Sequence, residues 1–136
     1  MEPKNLWGDL TGITGFKTPA FTLKEQAEML GTLTAGSVTA TVIQSVDDST
    51  ITVDLYLKAR RLERYSNNVL TVEHNIKGYP LKVMDNLLSK DYEVNNEEEF
   101  TRVLNTILSS NETRNLIGAL MSYSGTMIIE KQDDSK

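Results

Sequence analysis

The sequence predicts an α+β fold: an N-terminal helix, an antiparallel sheet of three or four strands, and a C-terminal helical hairpin packed on that sheet. Three observations predict it. Apolar residues recur at helical spacing before Gly36, at a spacing of two from Ser37 to Ile76, and at helical spacing again from Phe100 onward. Strands followed by a run of helices place the helices against one face of the sheet.

The first helix has two possible starts: Thr18 with Pro19 at the first helical position, or the capping-box spacing Thr22-x-x-Glu25. Leu23, Ala27, Leu30 and Leu33 form one face, and Gly36 ends the pattern. Ser37 to Val46 and Ile51 to Ala59 then alternate with period two, rich in Thr and Val. Asp47-Asp48-Ser49-Thr50 between them is a turn composition, so the pair reads as an antiparallel hairpin.

A third strand opens at Asn67-Asn68, with Leu70, Val72, His74 and Ile76 on one face. Lys77-Gly78 offers a two-residue turn into a fourth strand, Tyr79 to Met84, which Pro80 would confine to an edge because it lacks the ladder N–H. Phe100, Val103, Leu104, Ile107 and Leu108 follow the helix stripe behind Asn96 and three glutamates, Glu97 to Glu99, which favour the positive end of the helix dipole. Ser109-x-x-Glu112 offers a capping box for a last helix carrying Leu116, Ile117, Leu120 and Met121 and ending near Gly125.

The chain has 136 residues, of which 39% are hydrophobic, enough for one domain with a core of its own. The expected domain spans 1–136 with flexible ends at about 1–17 and 126–136. No apolar run reaches the roughly 18 residues of a membrane span, and Met1 to Ala20 lacks the pattern of a secretory signal. The expected location is cytoplasmic, away from membranes. There is no cysteine and one histidine, so thiol chemistry, a disulfide framework and a His-rich metal site are excluded.

The net charge of −5 opposes coating of DNA or RNA. One segment departs from the acidic balance. Lys58, Arg60, Arg61 and Arg64, followed by Tyr65, end the second strand and enter the connection to the third. Guanidinium groups present paired donors to phosphate or carboxylate, so this run is the candidate ligand-binding surface. Its bland alternative is a solvated turn.

His74 is the one residue suited to proton transfer near neutral pH, and it joins the candidate ligand residues. Its place among Leu70 and Val72 also suits a partly buried ring with one nitrogen bonded to a carbonyl. Gly8, Gly12 and Gly15 lack the preceding strand and closing Lys-Ser or Lys-Thr of a P-loop, and Ser122 and Ser124 lack a nucleophile-elbow pattern. Leu6 and Trp7 have no periodic partner, and such an apolar pair should fold back onto the core or dock on another subunit.

Two stretches also carry a resemblance. Thr18-Pro19, Leu23-Lys24-Glu25-Gln26-Ala27, Leu30 and Gly36 form the first; Phe100, Leu104, Ile107-Leu108-Ser109, Thr113, Ile117, Leu120 and Ser124 form the second. Together the chain resembles a family of short uncharacterised bacterial proteins, a resemblance that implies the architecture above and no activity.

The functional expectation is a binding protein more than an enzyme, with no catalytic residue, metal or cofactor assigned. Its first form is an oligomeric bacterial or phage accessory protein that sequesters a small anionic ligand such as a nucleotide through Lys58 to Tyr65. The alternative is a protein-interaction or immunity-type module whose acidic surface, led by Glu97 to Glu99, meets a basic partner. A hydrolase using His74 ranks third.

Overall fold

The structure, a computed structural model, describes residues 3–62 and 64–124. Gly125 and the end at 126–136 lie outside the described residues; the last helix, expected to stop near Gly125, ends at Ser122 with Tyr123 as its C-cap. A lead-in segment precedes α1 (Pro19–Leu33), which starts at the first of its two expected sites: the Thr18 hydroxyl accepts the Phe21 N–H at 3.2 Å, with Pro19 at the first helical position.

The sheet has five strands, one or two more than expected: β1 (Val38–Asp47), β2 (Thr50–Ala59), β3 (Asn67–Asn75), β4 (Gly78–Asp85) and β5 (Lys90–Val94). They lie side by side in chain order and every neighbouring pair is antiparallel. Two helices follow, α2 (Glu97–Leu108) and α3 (Asn111–Ser122).

The fifth strand changes the place of Pro80. β4 is an interior strand, and Pro80 sits at its start, where the β3–β4 register shifts between Glu73 and Asn75 and before β5 begins to pair at Leu81. The missing N–H therefore falls outside the regular part of both ladders. The turn between β3 and β4 is Ile76-Lys77, one residue earlier than expected, and it carries Ile76 out to solvent instead of continuing the buried face.

One face of the sheet holds the core. Val53, Leu55 and Leu57 of β2, Leu70 and Val72 of β3, and Leu81 and Val83 of β4 are all buried. Against them pack Leu23 of α1, Phe100, Leu104 and Ile107 of α2 and Leu120 of α3. Each such side chain contributes about 1.5–3 kcal/mol by leaving water.

The Asn96 side chain caps α2 by accepting the Glu99 N–H at 2.8 Å, and Glu99 reaches back to accept the Asn95 N–H. α3 is capped by Ser110 and not by Ser109: the Ser110 hydroxyl accepts the Thr113 N–H at 3.2 Å. The Ser109 hydroxyl instead donates to Asn105 O, finishing α2.

Coverage is incomplete at two further places where periodicity predicted burial. Leu33, at the end of the α1 stripe, is 82% exposed, and Val46, at the end of the β1 alternation, is 65% exposed. Leu33 is the last helical residue, and the left-handed Ala35 and Gly36 turn the chain back immediately after it. Among the described residues no helix is long and apolar enough to cross a membrane.

Candidate functional site

The basic run occupies the end of β2 and the loop into β3. Lys58 is half-buried on the outer face of the sheet, opposite Thr39, while Ala59 is buried. The Arg60 N–H donates to Ser37 O at 3.1 Å, fixing the loop to the start of β1. Two successive turns follow, with the Leu62 N–H donating to Ala59 O and the Tyr65 N–H to Leu62 O. Leu62 packs against the core and anchors the loop.

Between these anchors Arg60, Arg61 and Arg64 are exposed, and Tyr65 is largely so. Among the described residues no carboxylate forms an ion pair with any of the three arginines. Such unspent guanidinium donors can take a phosphate or carboxylate presented from solvent.

A polar network on the outer face stands beside this loop. Asp54 of β2 accepts the Thr71 hydroxyl at 2.6 Å and the Asn68 side-chain N–H at 3.1 Å, while the Asn86 amide donates to Thr71 at 3.0 Å. The Asn68 carbonyl oxygen is buried without a hydrogen-bond partner. These residues tie the first residues of β3 to β2 at the register shift after Leu55. Only Asn68 was visible in the sequence, because the meeting of the others depends on which strand residues face one another. The neighbouring Asn67-Asn68 pair was the only signal.

His74 does not join this site. It pairs with Ile51 at the opposite end of β2 from Lys58. Seven residues of strand at about 3.4 Å each separate the two ends by about 24 Å. His74 is 7% exposed, and its Nδ1 lies 2.6 Å from Asn75 O. A carbonyl only accepts, so Nδ1 carries a proton and donates it to Asn75 O. Nε2 is buried with no partner, and no carboxylate hydrogen-bonds the ring among the described residues, so no proton relay is assembled there.

Concavities lie away from the arginine loop. A cleft of about 490 Å³ is lined by His74 itself together with Glu73, Lys82 and Glu93. A smaller apolar one of about 230 Å³ opens between α1 and α3, with Leu33, Leu57 and Ile117 in its walls. Among the described residues no group of three or more His, Asp or Glu side chains is placed to hold a metal ion.

No family model, curated protein or solved structure matches the chain. The geometry alone therefore bears on function. Leu6 and Trp7 do not fold back onto the core: they are 85% and 82% exposed, in a lead-in where Gly8 and Gly12 take left-handed backbone angles and Asn5 and Asp9 make short local turns.

Proposed function

We propose that the protein is a non-enzymatic binding module, acting as a homo-oligomer, that takes a small anionic ligand such as a nucleotide on the loop between β2 and β3. One observation carries this reading: three exposed arginines on an anchored loop, none in an ion pair among the described residues. An anchored loop holds its donors in place while leaving them accessible. The loop lies open on the surface, which suits a phosphate group approaching from solvent.

Calorimetric titration with nucleoside mono-, di- and triphosphates, and with inorganic phosphate, tests it. Each well-placed guanidinium bond to a charged group is worth about 1.5–3 kcal/mol, so Arg60→Ala, Arg61→Ala or Arg64→Ala should weaken binding about tenfold or more. Absence of binding by every probe, or wild-type affinity in all three variants, overturns the reading.

The exposed Leu6, Trp7, Leu10 and Ile13 favour a second reading, a protein-interaction module. Trp7 separates the two. Its fluorescence should stay that of a solvated indole when a nucleotide binds and shift to the blue when a protein partner covers the lead-in.

A further inference from the structure

β1 is the last strand on one side of the sheet, and the direction of its backbone groups can be read residue by residue. The Arg60 N–H donates to Ser37 O, so Ser37 and the odd-numbered residues after it turn their backbone groups toward β2. The even-numbered residues turn theirs outward. Val38, the first of these, is already served: the Thr34 hydroxyl accepts its N–H at 3.2 Å and lies 3.0 Å from its carbonyl oxygen. Ala40, Val42, Gln44 and Val46 follow along the open side.

Natural edge strands are blunted by shortness, charge, proline or a bulge. β5 conforms, with five residues that include Lys90, Asp91 and Glu93. β1 does not. It runs for ten residues with no proline, no ionisable side chain before Asp47, and an unbroken register against β2. Ile43 on its outer face is 50% exposed. On the side of the strand covered by α1, Ala27, Glu28 and Gly31 of that helix, with Gly36 and Ala40, line a cleft of about 610 Å³. A Cβ added at Gly31 or Gly36 would meet nothing within 4 Å, so there is room for the side chains of another strand.

We propose that this edge pairs with β1 of a second copy of the chain, antiparallel about a two-fold axis, with Ile43 facing Ile43. In this register Val42 pairs with Gln44 of the second copy and Ala40 with Val46, so all four outward-facing residues of each copy exchange both backbone bonds. A register centred on Val42 would instead spend Val38, whose groups Thr34 holds.

The second copy is the occupant that the charges fit. From Val38 to Val46 the strand carries no charged side chain to meet its like across the axis, and Asp47 comes opposite Thr39, whose neighbour on β2 is Lys58. Acid thus approaches base on the same face at both ends of the interface. Val46 of each copy enters the cleft beside Ala40 and Gly31. The pairing deepens the homo-oligomer part of the function proposed above and does not depend on the anion.

Ile43→Cys supplies the test, because the chain has no other cysteine. Facing residues of a pair without mutual hydrogen bonds have Cα atoms about 4.5 Å apart, within the reach of a disulfide. Light scattering of the natural chain at micromolar concentration should give twice 15.2 kDa. Mild oxidation should link Ile43→Cys into a covalent dimer and leave Thr52→Cys, on interior strand β2, unlinked.

Ile43→Lys should return the mass to a single chain with the circular dichroism unchanged. Gln44→Pro should do the same, since it removes an N–H that points away from β2. A single-chain mass for the natural protein overturns both oligomer and edge pairing. A doubled mass with no link through Ile43→Cys and no effect of Ile43→Lys overturns the edge pairing and leaves the oligomer standing, and neither result touches the titrations with nucleotide.

Discussion

The ring of Phe16 lies against the backbone of Gly78: a Cβ built on Gly78 would fall 2.8 Å from the ring's Cε2. Gly78 also has φ of 97°, a left-handed angle that opens β4 after the Ile76-Lys77 turn. Two requirements therefore meet at one residue, and together they fasten the lead-in to the sheet next to the start of α1. Gly78→Ala should cost about 1–3 kcal/mol in chemical denaturation, through the backbone angle and the displaced ring. In the background of Phe16→Ala the same change should cost less, because the ring's part is gone.

Helix α2 presents Leu104 to the core at 4% exposure, whereas Leu33 at the end of α1 is 82% exposed. Leu104→Ala should lose about 2–5 kcal/mol of stability. Leu33→Ala should lose less than about 0.5 kcal/mol, although both leucines belong to regular apolar stripes. Equal losses at the two positions would contradict the burial.

That contrast marks how far the sequence reading reaches. The helix faces and the β1–β2 hairpin were legible because apolar spacing reports which side of an element turns inward. Spacing does not report where the covering layer stops, which is why Leu33 and Val46 were expected inside. β5 escaped because only Tyr92 and Val94 alternate with Lys90, Asp91 and Glu93, so a short edge strand resembled part of an acidic connection. Its turn is set by buried Asp85, whose carboxylate accepts the N–H groups of Leu87 and Leu88, a local device of the kind that Asp provides. The basic loop was visible as a charge run, while its anchors, Leu62 and the Arg60 bond to Ser37, depend on the folded chain.

Tyr79 gives an alkaline signature. Burial, with the Glu97 carboxylate adding to it, raises the pKa of the hydroxyl above its ordinary 10.0. The folded state therefore holds the phenolic proton to higher pH than the unfolded chain does, so this contribution to stability is intact below pH 10 and is lost as pH rises beyond it. Tyr79→Phe should flatten the alkaline fall in the melting midpoint. Glu97→Gln should bring the phenolate absorbance titration to lower pH without restoring it to that of free tyrosine.

Asp54 is the centre from which the outer-face network is held, accepting from both Thr71 and Asn68. Hydrogen bonds to a charged acceptor are worth about 1.5–3 kcal/mol, and removing the acceptor leaves a half-buried hydroxyl and amide seeking new partners. Asp54→Ala should therefore destabilise the protein by about that amount. Asp54→Asn should cost less, since its side-chain oxygen can still accept both bonds. The two bonds share one oxygen, so Asp54→Ala and Thr71→Val should not add: a double-mutant cycle should return a coupling of at least about 0.5 kcal/mol. Because Asn68 lies in the first two residues of β3, just after the arginine loop, amide hydrogen exchange in Tyr65 to Asn68 should quicken in Asp54→Ala while the interior of β2 stays protected. Unchanged exchange there, with an additive cycle, would show that the network does not brace the loop.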